Sequence, residues 1–405
     1  MPIKVLYIDG DGPMGGASRS LYEVVSRFPA DTVSSYFVAS SGTATNFYKR
    51  VAVDLVETRG MSKFDNTRYG YYRGGRWLIL LREFFYFPFM LVALLRAKKK
   101  WRSVDVIHVN EYVYILPALI AKLLFRAPLV VHVRALARVQ ADSRRVRLLN
   151  FVFSRWVDAI VAIDGNVRVT LPATLPVHIV NNSFSPSASN APTAEFVKKF
   201  DGLRNNTLKV GFVGNLHLSK GVLEIAQAAK ILRDEGYQID FVMVGGGTLE
   251  DKGAKAWLLA KFGFAQNFGS ELQSLLERDQ MDECFHLFGP TLDIKYVYDR
   301  IDVLLFPSHF DAPGRPVFEA GFSSVPSIVA VENPSADTFV PNHTGLAIKA
   351  RDANALAEAI AYFNDNPEER KRMGDNARQL ALQNFTPETN AKKLLDIYSD
   401  LVVSR

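Results

Sequence analysis

The 405-residue sequence predicts an α/β protein of two Rossmann-like lobes, each a parallel sheet wrapped by helices, with a ligand cleft between the lobes. Three observations carry that expectation. The chain is 48% hydrophobic over 405 residues, and single cores seldom grow past about 250 residues. Short apolar strands alternate with stretches of helical periodicity in both halves. The run NNSFSPSASNAPTAEF, dense in Ser, Asn, Pro and Ala, separates the halves without apolar periodicity. The resulting boundaries are a first lobe over 1–185, a linker over 186–205, a second lobe over 206–385 and a terminal helix over 386–405. A charged fraction of 22%, with 26 Gly and 19 Pro and no low-complexity tract, excludes disordered, collagen-like and coiled-coil proteins.

In chain order, Ile3 to Ile8 reads as a strand that runs into Gly10, Gly12, Gly15 and Gly16, followed by the helical SRSLYEVVSRF. VDVIHVN and YILPALIAKLLF repeat the pattern, as do APLVVHV with a basic helical stretch and WVDAIVAI with a short helix. Beyond the linker come LKVGFVGN and a helix from Val222 to Asp234, then IDFVMVGGG and another helix. ECFHLFG, IDVLLFPS, PSIVAV and GLAIKA follow as strands, with helices to the end. Strands separated by helices imply parallel pairing, because a parallel return needs a crossover.

The run from Trp77 to Leu95 is long enough to raise the question of a membrane span, but Arg82, Glu83 and Pro88 lie inside it. It reads instead as a buried or interfacial helix pair flanked by Arg73, Arg76, Arg96, Lys98, Lys99, Lys100 and Arg102. The apolar stretch at the N-terminus is too short for a signal-peptide core, and the single cysteine, Cys284, fits a reducing compartment. A cytoplasmic protein is expected.

The net charge of +6 is unevenly spread. Residues 1–185 hold 25 Lys and Arg against 13 Asp and Glu, +12, and residues 186–405 hold 23 against 29, −6. A basic first lobe suits an anionic partner, including a peripheral contact with an anionic membrane. No aromatic and basic interleaving accompanies a nucleic-acid module, so nucleic acid is not an expected partner.

Gly10, Gly12 and Gly15 spell GxGxxG between strand and helix, but the second strand, SYFVAS, ends without the acid that holds a ribose hydroxyl in dinucleotide enzymes. An NAD-dependent dehydrogenase is therefore only an alternative. Asp9 and Asp11 form a DxD pair without a third ligand, and no metal is expected. The chain has no GxxxxGK[ST] loop and no GxSxG elbow.

The second half is richer. Lys220 opens a helix after a strand and a turn holding Asn215, where an ammonium and the helix dipole both attract a diphosphate. Asp311 lies in the loop after a strand, and Glu319 sits in the following helix. A carboxylate there can accept from two ring hydroxyls, the amides around Gly314 and Val317 can hold a phosphate, and Arg315 adds a fork-shaped donor.

VGNLHLSKG, DAPGRPVFEA and TGLAIKARDANALAEAI, at their separations, resemble the retaining GT-B glycosyltransferases of family 4 type over nearly all of residues 205–405. GPMGGASRSL, VDVIHVN and PLVVHVR resemble the family's first lobe, and NFTPETNAKKLLDIYSDL its C-terminal helix, which would pack back on that lobe. The resemblance implies transfer of a sugar from a nucleoside diphosphate sugar to an acceptor hydroxyl, with retained anomeric configuration and without metal or other cofactor. Bacterial polysaccharide or glycolipid synthesis is the implied setting, with a glycan or lipid-linked acceptor at the cytoplasmic face of the inner membrane. Donor contacts fall on Gly15, Gly16, Lys220 and Glu319, with the base edge at Thr291 and Asp293. Asp311 falls near the donor sugar.

Three positions depart from the family pattern. Asn215 replaces an arginine, and Arg315 takes its place in this reading; Asp311 shortens the first glutamate of the motif. Arg134 stands where many members have a histidine, with His132 on the same strand face, and both are candidates for catalysis. An arginine cannot act as a base, but it can stabilise charge on a leaving phosphate or bind an anionic acceptor. A non-catalytic nucleotide-sugar-binding subunit is the other alternative.

Overall fold

The computed structural model describes residues 1–68, 77, 79–140, 143–186, 193–246, 268–291 and 293–404, with the backbone alone for 268–271. Gly247 and the helix expected directly after it lie outside the described residues. The chain divides into one unit of Met1–Ser185 with Phe385–Arg405, and a second of Pro186–Asn384.

The first unit holds seven parallel strands, β1 (Ile3–Asp9), β2 (Val33–Ser40), β3 (Asp54–Thr58), β4 (Val106–Val109), β5 (Leu129–Val133), β6 (Ala159–Ala162) and β7 (Val177–Ile179). Their order is β3-β2-β1-β4-β5-β6-β7, and Val5 of β1 pairs with Ser35 and Val106 on its two sides. The side-chain alternation of a strand divides β1 between two cores. Leu6 and Ile8 pack with Met90, Leu94 and Ala97 of the helix Ile79–Trp101, and Val5 and Tyr7 pack with Leu21, Leu394 and Tyr398. The last two belong to the helix Pro387–Val403, so the end of the chain closes the face that its first strand opens.

The second unit holds six parallel strands, β8 (Leu208–Val213), β9 (Ile239–Val244), β10 (Phe285–Gly289), β11 (Val303–Phe306), β12 (Ser327–Ala330) and β13 (Gly345–Ile348), in the order β10-β9-β8-β11-β12-β13. Near-continuous apolar strands such as Val303–Phe306, buried throughout, are what a sheet covered on both faces requires.

Two expectations need correction. The segment 186–205 is not all linker, because Ala194–Asp201 is a helix, opened by Thr193 accepting from the Phe196 amide at 3.3 Å. Phe196 and Phe200, one turn apart, enter the second core, and that spacing outweighs the polar composition around it. Residues 79–95 of the run 77–95 form not a helix pair but part of the single helix Ile79–Trp101, which continues through Pro88. Proline removes one backbone donor, and here it does so on the exposed side of the helix, while Met90, Ala93, Leu94 and Ala97 anchor the opposite side. Among the described residues no helix is long and apolar enough to cross a membrane.

Candidate active site

In the second unit the chain leaves β8 toward β9 on one side and leaves β11 toward β12 on the other. Such a reversal opens a crevice at the carboxyl ends of two neighbouring strands. The β8 loop carries Asn215, which is exposed, and then the tight turn Leu218–Lys220. Gly221 follows with φ +75°, and a Cβ there would stand 2.1 Å from the Pro307 carbonyl oxygen in the β11 loop. This close approach seats the lysine turn on the neighbouring loop, where the His309 amide donates to the Ser219 carbonyl at 2.9 Å. The Lys220 ammonium lies 5.0 Å from the Phe310 ring centroid and 5.8 Å from that of Phe306. Burial pushes its pKa below the ordinary lysine value, so the cation is short of water and gains from an approaching anion.

Across the β11 loop, Asp311 Oδ1 accepts from the Glu332 amide at 2.9 Å. Gly314 precedes the helix Arg315–Gly321, and a Cβ on it would meet the Phe306 ring at 2.5 Å. The Val317 amide, expected to be open, donates to the Gly314 carbonyl at 3.1 Å because residues 314–317 close a turn. Glu319 is buried and fully engaged. Its Oε1 accepts from Arg315 Nε at 2.9 Å and is ion-paired with Nη2 at the same distance, and its Oε2 accepts from the Tyr298 hydroxyl at 3.0 Å. Arg315 and Glu319, assigned separate tasks in the sequence, are each other's partners one helical turn apart. Tyr298 ends the helix Ile294–Tyr298 that Asp293 opens, and the Asp293 amide donates to Thr291 Oγ1 at 3.1 Å. Lys220 and Gly314 thus both lie against Phe306 of β11, and Tyr298 ties the helix that Asp293 opens to the helix of Arg315 and Glu319.

The sequence reading missed His309, whose Nε2 lies 2.9 Å from Glu224 Oε1. Its place three residues beyond β11, in the loop that holds Asp311, was the available signal. Tyr298 was missed too, because its contact with Glu319 joins two helices separated in sequence.

The first unit has the corresponding reversal between β1 and β4. Gly15 and Gly16 are exposed at the start of the helix Gly16–Val25. Asp9, buried at the end of β1, accepts from Ser18 Oγ at 2.7 Å, from the Tyr48 hydroxyl and from the Asp11 amide at 3.2 Å. Burial raises its pKa. Asp11 accepts from Lys63 Nζ at 2.9 Å and the Tyr114 hydroxyl at 2.6 Å; burial opposes its ionisation, but these partners outweigh that and leave its pKa low. The DxD carboxylates are thus engaged by protein groups.

Arg134 Nε donates to the Asn110 carbonyl at 3.0 Å and to Asn110 Oδ1 at 2.9 Å, and Nη1 donates to Asn182 Oδ1 at 2.7 Å. Its Nη2 lies 3.2 Å from His132 Nδ1. His108 Nε2 stands 3.3 Å from the same Nδ1, and His108 Nδ1 stands 2.5 Å from the Tyr398 hydroxyl. An arginine only donates, so His132 Nδ1 accepts and its proton resides on Nε2; His108 then donates through Nε2 and accepts from Tyr398. Burial, followed by the Arg134 charge, holds His108 at a pKa of about 3 and His132 well below the usual value. His132 is 2% exposed, so it supports Arg134 rather than presenting a group to a ligand. Burial also pushes Glu111, which accepts from the Arg134 amide at 3.2 Å, up to about 8.

Two family models match this chain, Glycosyltransferase Family 4 over residues 14–185 and Glycosyl transferases group 1 over residues 194–380. The chain belongs to the GT-B glycosyltransferases of family 4 type. It is similar to the capsular polysaccharide biosynthesis glycosyltransferase CapM of Staphylococcus aureus, 25% identical over 212 residues covering 50% of this chain and 48% of CapM. The chain thus spans about half the length of that relative. It is also similar to the UDP-Gal:alpha-D-GlcNAc-diphosphoundecaprenol alpha-1,3-galactosyltransferase of Escherichia coli, 22% identical over 332 residues covering 78% of this chain and 80% of that one. Among solved structures, Anabaena HepE in complex with UDP shares the fold with a TM-score of 0.74, at 17% identity, over 98% of this chain and 100% of HepE. In this glycosyltransferase the first two glycines of the GxGxxG pattern have a packing reason: a Cβ on Gly10 would stand 1.9 Å from the Tyr114 ring, and one on Gly12 would stand 2.7 Å from the Ser41 carbonyl oxygen. The dehydrogenase alternative loses its main support.

Proposed function

We propose that this glycosyltransferase moves a sugar from a nucleoside diphosphate donor to a hydroxyl of a glycan or lipid-linked acceptor in bacterial polysaccharide or glycolipid synthesis. The anomeric configuration is retained, and neither a metal nor another cofactor takes part. The observation that carries the reading is the poorly hydrated Lys220 ammonium beside Phe306 and Phe310 at the strand reversal of the second sheet, with the Arg315, Glu319 and Tyr298 cluster on the helix that follows the same loop. HepE, whose fold this chain shares, has been solved with UDP, which favours a uridine nucleotide.

In this reading Lys220 neutralises the diphosphate and Glu319 takes the ribose hydroxyls, held in place by Arg315 and Tyr298. Thr291 and Asp293 meet the base edge, Gly314 and the first turn after it let the phosphate approach, and Gly15 and Gly16 face the donor and acceptor. The bond from the anomeric carbon to the diphosphate oxygen breaks as the bond to the acceptor oxygen forms, and the acceptor proton passes to the departing phosphate. Asp311 places negative charge near the developing oxocarbenium, and Arg134, positioned by His132, offsets charge on the phosphate or binds an anionic acceptor. The basic first unit supports peripheral contact with an anionic membrane, at the cytoplasmic face. Calorimetric titration with UDP, GDP and ADP, paired with donor turnover in EDTA, tests the reading. Lys220→Ala should weaken the preferred nucleotide about 10- to 100-fold, the range for a hydrogen bond to a charged group. A Lys220→Ala protein with wild-type nucleotide affinity and transfer rate removes the basis of the assignment.

A further inference from the structure

A diphosphate brings more negative charge to the Lys220 turn than one ammonium offsets. Asn215, exposed in the same loop, carries no charge. Arg315, expected from the sequence to supply the missing cation, is ion-paired with Glu319 at 2.9 Å.

His309 adjoins this turn. Its amide donates to the Ser219 carbonyl at 2.9 Å, and the ring centroid of the next residue, Phe310, lies 5.0 Å from the Lys220 ammonium. The imidazole is anchored through one nitrogen, since Nε2 lies 2.9 Å from Oε1 of Glu224, in the first turn of the helix Val222–Asp234. A carboxylate only accepts, so Nε2 carries the proton that joins them, and Nδ1 is the nitrogen left for a ligand. The ring is not sealed in, because 17% of the side chain is open.

Glu224 lacks other support. It is 7% exposed, and among the described residues its Oε2 is buried without a hydrogen-bond partner. A buried carboxylate that meets one neutral donor is costly, and an imidazolium in the same place offsets that cost. The imidazolium also gains an N–H at Nδ1.

We propose that His309, oriented by Glu224, is the second cation of the donor site, donating through Nδ1 to the diphosphate that Lys220 holds. The inference rests on the transferase reading and adds to it a phosphate ligand and a pH dependence, because imidazole ordinarily changes charge between about pH 5 and about pH 8. The titratable and charged groups on the elements packed against the ring are Glu224 on the helix, His217 and Lys220 on the turn, and Asp311, Arg315 and Glu319 farther along its own loop and the helix after it. Of these, His217 is the other imidazole, and its Nδ1 lies 2.8 Å from Ser219 Oγ.

The probes are UDP, GDP and ADP, and the one that binds the full chain tightest is titrated calorimetrically from about pH 8 to about pH 6. The terminal phosphate of the nucleotide also titrates in this range, equally for every protein, so the quantity read is the ratio of wild-type to variant affinity. His309→Gln keeps a donor for Glu224 but cannot become a cation. Its affinity should match the wild type within about twofold at the upper end and fall about tenfold below it at the lower end, the loss of one charge-assisted hydrogen bond. Glu224→Gln, which keeps the shape without the charge, should lose the same gain at low pH and tests the pair independently of any folding defect at position 309. His217→Gln should keep the wild-type pH dependence. A wild-type to variant ratio that is the same at every pH for His309→Gln and Glu224→Gln marks a structural role and overturns the inference, as does a pH dependence that disappears in His217→Gln instead. If Lys220→Ala weakens the nucleotide while these ratios stay flat, the transferase reading stands and His309 is excluded from it. A wild type that binds none of the three nucleotides at any pH overturns both.

Discussion

His108 offers a pH test of the first unit's interior. It is completely buried on β4, between the Tyr398 hydroxyl and His132 Nδ1. Burial and then Arg134 hold its folded pKa at about 3, against about 6.5 for a free imidazole. Between those values the unfolded chain binds a proton that the native chain does not. The stability from a neutral His108 is therefore complete above about pH 6.5 and is lost as pH falls toward about 3. At about 1.36 kcal/mol per unit, the whole span amounts to at most about 5 kcal/mol, with a slope approaching about 1.4 kcal/mol per pH unit in mid-range. His132, lowered by burial, by Arg134 and by His108, adds a group of the same sign. Denaturant titrations between about pH 7 and about pH 4, followed by tryptophan fluorescence, measure this, because Trp77, Trp101 and Trp156 all belong to the first unit. His108→Gln keeps a donor and an acceptor but does not titrate, so its slope should fall by about one proton relative to wild type. Identical slopes in the two proteins would refute the argument, whatever their absolute stabilities.

Gly221→Ala should lower stability by about 1–3 kcal/mol, because it adds a Cβ 2.1 Å from the Pro307 oxygen at φ +75°. It should also weaken nucleotide binding by displacing the Lys220 turn, which calorimetry with UDP reads directly; an unchanged affinity would separate that turn from the site. Arg134→Lys keeps the charge but loses the fork that spans Asn110, Asn182 and His132. Since the charge is kept and only its positioning is lost, kcat should drop about tenfold or more with the UDP Kd little changed, and a loss confined to Kd would contradict the assignment.

The legible parts of the site were those in which chemistry and position coincide within one loop. Lys220 before a helix, and Asp311, Gly314 and Glu319 across one strand-to-helix junction, were readable because their spacing is local. The closing of the Val317 amide was not, since it depends on the turn that residues 314–317 adopt. Nor was the helix Ala194–Asp201, whose two phenylalanines acquire meaning only when a core receives them. His309 and Glu224 come from neighbouring strands' connections, 85 positions apart, and no periodicity links them.

By itself the sequence determined that this protein has two α/β units, a basic first half, and a lysine and two acids in the segments that follow two of the strands. Strand alternation, charge and glycine placement are properties of short windows. Only the tertiary structure decided that Tyr298 of one helix holds Glu319 of another, and that His108 lies between His132, whose tautomer Arg134 sets, and Tyr398 of the last helix. Each of these depends on side chains brought together by parallel crossovers across tens to hundreds of residues. At that range, burial and hydrogen-bond geometry, rather than sequence spacing, select the partner.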